Sequence, residues 1–431
     1  MMQPKNRVSR RGFLRRGVAV AGGLLAAPCL VPCVAPGREG AVAPSERITI
    51  GAIGLGGRGR GDLADFLKEK DVRCVAVCDC FADRRAAGKK MVDGHYGNRD
   101  CKVYRRHEEL LARSDIDAVL IATGDRWHAV MSMLAARAGK DVYTEKPFCL
   151  TIAEGRTLVE TTKRYGTVWQ CGTQRRSNEA YRFAVEVVRS GAIGKLHTIT
   201  ASFGGWGGDG VARPEPEPDP EVFDYDRWLG QAPWAPYSSV RVGLWRNHWD
   251  TSAGPIIDMG PHYLDFAQWA RGTELSGPVE FQGQAVFPQG GFANVPFEIN
   301  VEARYADGVR VAMNSGPKAT RFDGSDGWIA LSDDGTITAG PESVLAGRKV
   351  PKVDWSYMAG HIRNFLDCMR SRRLTASHPE IAHRAHTFAH CANISLRLGR
   401  KLRWSPETER FVDDADANNM LSRTMRAPWG V

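Results

Sequence analysis

The chain has 431 residues, of which 43% are hydrophobic, and this is enough for two hydrophobic cores. Its formal net charge is +9, but residues 1–43 alone contain seven cationic residues and one acidic residue. The remainder has only a small positive excess and no basic block that would bind a phosphate backbone, so we expect no nucleic-acid partner.

The first 43 residues resemble an export signal. The segment Ser9–Arg15 (SRRGFLR) has the paired arginines of the bacterial twin-arginine signal, and the apolar run Val18–Pro28 follows it. This run is 11 residues long, well short of the roughly 20 residues that a membrane-spanning helix needs. We therefore expect residues 1–43 to be a signal region and the mature protein to be periplasmic, with no membrane contact.

Strands and helices alternate between Arg47 and Cys171. A short apolar strand is predicted at Arg47–Leu55, a helix from Asp62 and a second strand at Val72–Cys78. The alternation continues with a strand at Ala118–Thr123, a helix at Trp127–Ala138 and a strand at Asp141–Thr144. This order predicts a parallel, doubly wound sheet, and we assign residues 46–172 to a Rossmann dinucleotide-binding domain.

From about Thr173 the pattern changes to strands with a two-residue period. We predict strands at Leu196–Phe203, Val279–Phe287, Phe297–Tyr305 and Val309–Asn314, and helices at Asn178–Arg189, His361–Arg370 and Glu380–Gly399. Residues 204–250, rich in Gly, Pro and Trp, are predicted to be a long ordered loop. The expected second domain, residues 173–415, is α+β with a mainly antiparallel open sheet, and residues 416–431 form a tail.

The segment Gly54–Gly59 (GLGGRG) has the G-x-G-x-x-G pattern between the first predicted strand and helix. Gly54, Gly56 and Gly59 permit a tight turn that places a diphosphate at the helix N-terminus, and Arg58 lies in the same loop. Asp79 closes the second strand, where a carboxylate accepts hydrogen bonds from a ribose and repels a 2′-phosphate. We therefore predict NAD as the cofactor, while Arg84 and Arg85 nearby leave NADP as the alternative.

Three further residues are candidates for catalysis. Lys146, in the sequence Glu145-Lys146-Pro147, follows a predicted parallel strand and so points into the ligand crevice of the sheet. Asp258 and His262 are four residues apart, which places them on one helical face, although Pro261 requires the helix to kink or restart. Taken singly, each also has a structural interpretation: a surface cation, a helix cap and a core imidazole.

Taken together, these motifs resemble the Gfo/Idh/MocA oxidoreductases, which include glucose–fructose oxidoreductase and inositol dehydrogenase. The segments Ala122–His128 (ATGDRWH) and Gly172–Arg176 (GTQRR) are also similar to that family. The resemblance implies catalytic roles for Lys146, Asp258 and His262. It further implies cofactor contacts from Thr123, His128, Glu145 and Lys146, and substrate contacts from Gln174 and Arg175. It also implies a homodimer or homotetramer formed through the second sheet.

The roles that the resemblance implies agree with the chemistry of the side chains. A neutral His262 would take a hydroxyl proton as general base, since its unperturbed pKa is near neutrality. Lys146 would stabilise the negative charge that grows on the same oxygen, and Asp258 would orient this lysine and hold it cationic. NAD would accept the hydride.

Two other patterns were considered for ligand contacts. Aromatic residues are frequent between Trp206 and Trp249, and we expect one or two of them, Trp245 among them, to stack on a sugar. His383, His386 and His390 share one helical face, but no carboxylate or thiolate completes a metal site, so we expect a packed face and no metal. The cysteines near Cys78 lack zinc-site spacing and are expected to be buried thiols.

Three functions remain open from the sequence. The first is an NAD-dependent oxidoreductase acting on a sugar, polyol or glycoside, with the cofactor tightly bound. The second is an NAD-dependent glycosidase or lyase that oxidises its sugar transiently, although Lys146 favours the first. The third is a non-catalytic carbohydrate- or partner-binding protein that kept the fold, which would have lost catalytic residues, and no such loss is visible.

Overall fold

A computed structural model describes residues 46–351 and 357–430. The predicted signal region, residues 1–43, lies outside the described residues, so the twin-arginine signal and the export that it implies stay predictions. Within the described ranges, no helix has both the length and the apolar composition needed to cross a bilayer.

Six parallel strands form the sheet of the N-terminal half, in the spatial order β3-β2-β1-β4-β5-β6. They are β1 (Ile48–Ile53), β2 (Val72–Cys78), β3 (Lys102–Tyr104), β4 (Ala118–Ile121), β5 (Asp141–Thr144) and β6 (Trp169–Cys171). The strand order reverses between β1 and β4, and such a switch point creates a crevice beyond the carboxyl ends of the strands. The predicted doubly wound sheet is confirmed.

Five helices follow these strands in the chain. They are α1 (Gly57–Leu67), α2 (Ala82–Tyr96), α3 (His107–Leu111), α4 (Asp125–Arg137) and α5 (Ile152–Tyr165). Strand β4 is buried along its whole length, as expected for a parallel strand covered on both faces. Helices α2, α3 and α5 were not predicted, and α2 buries only Arg85, Gly88 and Val92 and so has no marked apolar stripe.

The second sheet has nine strands in the order β13-β12-β11-β7-β10-β9-β8-β14-β15. They are β7 (Leu196–Ser202), β8 (Glu280–Val286), β9 (Glu298–Arg304), β10 (Arg310–Asn314), β11 (Ala319–Gly324), β12 (Trp328–Ser332), β13 (Ile337–Gly340), β14 (Leu402–Ser405) and β15 (Arg410–Phe411). Strands β7 and β10 pair in parallel, and the other described pairings of this sheet are antiparallel. The expected mainly antiparallel sheet is thus confirmed, although β11–β15 were not predicted.

Eight more helices belong to the C-terminal half. They are α6 (Glu179–Arg189), α7 (Tyr225–Leu229), α8 (Ser239–Gly243), α9 (Pro255–Asp258), α10 (Gly260–Arg271), α11 (Tyr357–Ser371), α12 (Pro379–Leu398) and α13 (Ala415–Asn419). Residues of α6, α10 and α12 share a hydrophobic core with the inner face of the second sheet. The sheet alternates as predicted: in β9, Ile299, Val301 and Ala303 are buried, whereas Glu298 and Arg304 are exposed.

Helix α11 returns to the N-terminal half. Its residues Met358, Ile362 and Phe365 pack in the same core as Ile48 and Val72 of the parallel sheet. The hydrophobic core of the nucleotide-binding half is therefore completed by a helix that follows the second sheet in the chain.

The cysteines and the histidine face of α12 are part of the packing. The cysteines of the described residues are all free, and only Cys80 among them is not fully buried. On α12, His383 Nε2 lies 2.9 Å from Glu409 Oε1, and His386 Nε2 accepts the Phe148 N–H at 3.2 Å. The Nε2 atom of His390 lies 3.3 Å from the Cys149 carbonyl oxygen. His386 and His390 therefore connect α12 to the chain after β5, and His383 connects it to the residue before β15.

Candidate active site

The glycine loop leaves space for a ligand at the N-terminus of α1. Gly54 has φ of +89°, and a Cβ atom there would lie 2.5 Å from the Ala122 carbonyl oxygen. A Cβ at Gly59 would lie 2.0 Å from the Gly54 carbonyl oxygen. Beside Gly56 and Gly57, by contrast, the space is open. The loop is therefore tightly packed at Gly54 and Gly59 and has space beside Gly56 and Gly57. This space fits a diphosphate held by backbone N–H groups.

Asp79 lies directly after β2 and is 6% exposed. Its Oδ2 accepts the Leu55 N–H at 2.6 Å, and its Oδ1 accepts the Phe81 N–H at 2.9 Å. These bonds fix the carboxylate beside the glycine loop and leave lone pairs for the hydroxyls of a ribose. Of the two neighbouring arginines, Arg85 is bound to the carbonyls of Asp79 and Glu221, whereas Arg84 lines the cleft.

An open cleft of about 1040 Å³ extends from this point along the carboxyl edge of the sheet. We call this edge, with the glycine loop, the cleft floor, and residues 221–246 of the second domain the cleft wall. Asp79, Cys80 and Arg105 line it at the carboxyl ends of β2 and β3, and Trp245 and Arg246 line it from the wall, with Arg246 beside Asp258. The segment predicted as a long ordered loop therefore forms one side of the nucleotide cleft, and it contains the two short helices α7 and α8, which were not predicted.

Lys146 and Asp258 meet where the two halves of the molecule join. Lys146 follows β5 and Asp258 ends α9, and the Lys146 Nζ donates to Asp258 Oδ1 at 3.2 Å and to its carbonyl oxygen at 2.9 Å. Both side chains are largely buried, which strengthens the attraction between the charges. The structure therefore brings together two residues that the sequence analysis had paired only by family resemblance.

His262 lies in the first turn of α10, which restarts after Asp258 as Pro261 required. The imidazole is buried, and its Nδ1 has no hydrogen-bond partner among the described residues. Burial, then the positive charges of Arg175 and Lys146, lower the pKa of His262 well below its usual value. The ring is therefore neutral at physiological pH, and a neutral imidazole can accept a proton.

Glu145 and Arg58 connect the glycine loop to the lysine turn. The Arg58 Nε and Nη2 atoms donate to Glu145 Oε1 at 3.1 and 3.0 Å, and Asp62 pairs with the same guanidinium at 2.9 Å. The Gln174 amide lies 2.9 Å from Arg58 Nη2. Arg58, Glu145 and Gln174 thus form one polar group beneath the cleft, and their predicted ligand contacts stay predictions.

His128 and Thr123 have different positions relative to the cleft. Thr123 lines it, at the end of β4. His128 is buried beneath the lysine turn, where its Nδ1 lies 2.7 Å from the Pro147 carbonyl oxygen. Burial lowers the pKa of His128 to about 4, so the ring is neutral and supports the turn that carries Lys146.

Arg175 and Trp245, the predicted substrate residues, flank the catalytic group. The Arg175 Nη2 lies 2.5 Å from Asp333 Oδ1, and its guanidinium lies over the Tyr263 ring at 4.1 Å. Trp245 lines the cleft and carries the Arg246 guanidinium 4.2 Å above its ring.

Two polar residues at this end of the cleft were not predicted. Asp125, the first residue of α4, is 2% exposed and accepts the Ser252 hydroxyl at 2.5 Å. Burial, then the negative charge of Asp258, raise the pKa of Asp125 to about 7. The Arg246 Nε lies 3.6 Å from Asp258 Oδ1. Asp125 belongs to the segment Ala122–His128 (ATGDRWH), and the similarity of this segment to the family could have indicated that Asp125 lies near the site.

Comparison with known proteins agrees with this site. The model of the GFO/IDH/MocA oxidoreductase family, NAD-binding Rossmann fold, matches residues 48–173, and that of the family's C-terminal alpha/beta domain matches residues 186–431. A solved structure of aldose-aldose oxidoreductase from Caulobacter crescentus, complexed with glycerol, has a TM-score of 0.63 at 18% identity. That alignment covers 83% of this chain and 99% of the other chain, and it supports the fold.

Two curated relatives are similar to this chain over about half of its length. Glycosyl hydrolase family 109 protein 1 of Shewanella sp. (strain MR-4) is 31% identical over 209 residues, which is 44% of each chain. Myo-inositol 2-dehydrogenase of Thermotoga maritima is 26% identical over 226 residues, 52% of this chain and 55% of the relative. The chain thus spans about half the length of the curated relatives that it matches. Because the family models match most of its length, the chain belongs to the GFO/IDH/MocA oxidoreductase family and contains its NAD-binding Rossmann domain.

Proposed function

We propose that this chain is an NAD-dependent oxidoreductase that oxidises a hydroxyl-bearing carbon of a sugar, polyol or glycoside. The observation that carries this proposal is the Lys146–Asp258 ion pair beside the neutral, partner-free His262, at the end of an NAD-type cleft. This set contains a proton acceptor and a fixed positive charge, the two groups that oxidation of an alcohol requires.

Each residue has a defined role in the proposed reaction. The bound NAD supplies the acceptor for the hydride that leaves the substrate carbon. His262 takes the hydroxyl proton of the same carbon, so that a carbonyl forms. Lys146 donates a hydrogen bond to the hydroxyl oxygen and stabilises its growing negative charge. Asp258 holds the Lys146 ammonium in place.

We further propose that NAD stays bound between turnovers, because the cleft wall is joined to the floor beside Asp79. The Phe223 ring stacks on Phe81 with centroids 3.9 Å apart, and the two residues also form a backbone bridge. Glu221 Oε1 lies 2.6 Å from Arg105 Nη1. Release of the adenosine half would be hindered by these contacts. Retention would also suit the predicted periplasmic location, where no pool of free NAD is maintained.

A second candidate is an NAD-dependent glycosidase with no net redox change. The similarity to glycosyl hydrolase family 109 proteins, and to an alpha-N-acetylgalactosaminidase of Shewanella oneidensis at 30% identity over 209 residues, favours it. In that reaction, oxidation of one carbon acidifies the neighbouring C–H bond, the glycosidic bond is eliminated, water adds, and the carbonyl is reduced again. The oligomer that we propose, a homodimer or homotetramer through the second sheet, is compatible with both candidates.

One experiment separates the two candidates. The purified protein is analysed by mass spectrometry for bound NAD and then mixed with a panel of free sugars and aryl glycosides. An oxidoreductase accumulates NADH absorbance with a free sugar until a carbonyl acceptor is added. A glycosidase releases the aryl alcohol without net NADH. The proposal is wrong if neither signal appears while NAD is bound.

A further inference from the structure

Six arginines line the cleft, and two of them lack an acceptor for their side-chain N–H groups. The six are Arg58, Arg84, Arg105, Arg126, Arg227 and Arg246. Arg58 pairs with Glu145, Arg105 with Glu221, Arg227 with Glu108, and Arg126 donates to the Trp228 carbonyl oxygen at 2.8 Å. Among the described residues, no acceptor lies within hydrogen-bonding distance of the guanidinium of Arg84 or of Arg246.

The two arginines without acceptors have different neighbours in the cleft. The Arg84 guanidinium lies over the Phe81 ring at 3.8 Å, close to Asp79 and to the open glycine loop. Arg84 is therefore available to the cofactor. Arg246 lies beside Asp258, the partner of Lys146, and is available to whatever binds at the catalytic end.

Arg246 is held on a fixed segment even though its side chain is 47% exposed. Its guanidinium lies over the Trp245 ring, 4.2 Å from the centroid, and the Trp245 carbonyl oxygen accepts the Thr251 hydroxyl at 2.6 Å. The next residue, Asn247, is buried and accepts the Trp206 indole N–H at 2.6 Å. The five N–H donors of Arg246 are therefore positioned before a ligand arrives, which lowers the entropy cost of binding.

The charges at the catalytic end are unequal. A single oxygen, Asp258 Oδ1, faces both Lys146 Nζ at 3.2 Å and Arg246 Nε at 3.6 Å. Of the other carboxyl groups close by, Glu145 is paired with Arg58, and Asp125 has a pKa that burial and the charge of Asp258 raise to about 7. The positive charges of Lys146 and Arg246 are therefore opposed by the full negative charge of Asp258 and by only a partial negative charge on Asp125.

We propose that Arg246 binds an anionic group of the substrate, and that the substrate is an acidic sugar carrying a carboxylate or a phosphate. A planar guanidinium forms paired hydrogen bonds with either group, and such charge-assisted bonds are stronger than bonds to a neutral hydroxyl. The inference rests on the proposed function, because it names the substrate class of that same site.

The test compares matched sugars on the full-length, NAD-loaded protein. Glucose, glucuronate and glucose 6-phosphate, with the corresponding galactose and mannose series, are titrated by calorimetry, and NADH formation is followed in parallel. We expect at least one acidic sugar to bind about 10- to 100-fold more tightly than its neutral counterpart, as a charge-assisted bond implies. The carboxylate and phosphate series show which anion is preferred.

Three variants assign the preference to Arg246. Arg246→Gln is expected to remove the difference between acidic and neutral sugars, and Arg246→Lys to keep part of it. Arg304→Gln is the control, since Arg304 is 44% exposed on β9 and pairs with Glu302. This control is expected to keep the full preference.

The possible failures are distinguishable. Equal binding of acidic and neutral sugars, or no binding at all, overturns the acidic-sugar assignment. Weaker NAD binding by Arg246→Gln with an unchanged sugar preference also overturns it, because Arg246 then serves the cofactor. Equal NADH formation from acidic and neutral sugars leaves the proposed oxidoreductase function intact. Arg246-dependent binding of an acidic sugar without any NADH or glycoside cleavage contradicts the proposed function but keeps the anion site.

Discussion

The floor and the wall of the cleft are held in place by different kinds of contact. The floor consists of strand ends and the glycine loop, where backbone atoms approach so closely that Gly54 and Gly59 have no room for a side chain. The wall consists of the short helices α7 and α8 joined by irregular chain, and side chains hold it: Phe223 stacks on Phe81, and Arg426 of the C-terminal tail pairs with Asp226 at 2.6 Å. The floor can therefore fix the reacting groups, and the wall can control how the cofactor enters and leaves.

This difference predicts that floor variants change the chemical step or the affinity for the cofactor, and that wall variants change the rate of cofactor release. The largest effect is expected at the catalytic group. Lys146→Ala or His262→Ala should reduce kcat by about 10²- to 10⁴-fold, because each removes a charge-stabilising donor or the proton acceptor. Bound NAD, measured by mass spectrometry, should remain. Near-normal turnover in both variants would exclude these residues from the reaction.

Asp79 is expected to show the next largest effect, on cofactor affinity. Asp79→Ala should weaken NAD binding by about 1–3 kcal/mol, because the ribose contacts and the bond to the Leu55 N–H are lost. The same change should narrow the preference for NAD over NADP, since the repulsion of a 2′-phosphate is removed. Calorimetric titration of apo protein with both cofactors measures this. Tighter NADP than NAD binding by the unaltered protein would contradict the role given to Asp79.

A wall variant should accelerate NAD release and leave the chemical step unchanged. Phe223→Ala removes the aromatic stack on Phe81, worth about 0.5–1.5 kcal/mol beyond area burial, so we expect roughly tenfold faster release. Val222→Ala is a matched control, since its side chain is 61% exposed. Release is followed by rapid gel filtration and mass spectrometry. If Phe223→Ala retains NAD as well as the control, the wall does not hold the cofactor.

The floor was largely predictable from the sequence, and the wall was not. The positions of Gly54, Asp79 and Lys146 follow from local motifs that end regular strands, and local pattern is what sequence analysis detects. The stack of Phe223 on Phe81 and the position of Arg246 beside Asp258 depend on contacts between distant parts of the chain. Helix α11 was predicted as a helix, but no local sequence pattern indicated that it packs in the core of the parallel sheet.

The smallest expected effect concerns Asp125, which borders both regions. Because burial and the charge of Asp258 raise its pKa from 3.8 to about 7, the folded state binds a proton that the unfolded state releases between these values. Asp125 therefore makes the folded protein less stable as the pH rises from about 4 to 7. Asp125→Asn keeps the shape of the side chain and should remove this dependence.

Denaturant unfolding of the unaltered protein and of Asp125→Asn at pH 5 and pH 8 measures the change. We expect Asp125→Asn to gain on the order of 1 kcal/mol relative to the unaltered protein on going from pH 5 to pH 8, because only the unaltered protein carries the carboxyl whose ionisation costs stability over this range. Ser252→Ala, which removes the donor and keeps the carboxyl, should retain the pH dependence. Parallel pH profiles for Asp125→Asn and the unaltered protein would show that Asp125 is ionised throughout, and the charge inequality beside Arg246 would then be smaller than we infer.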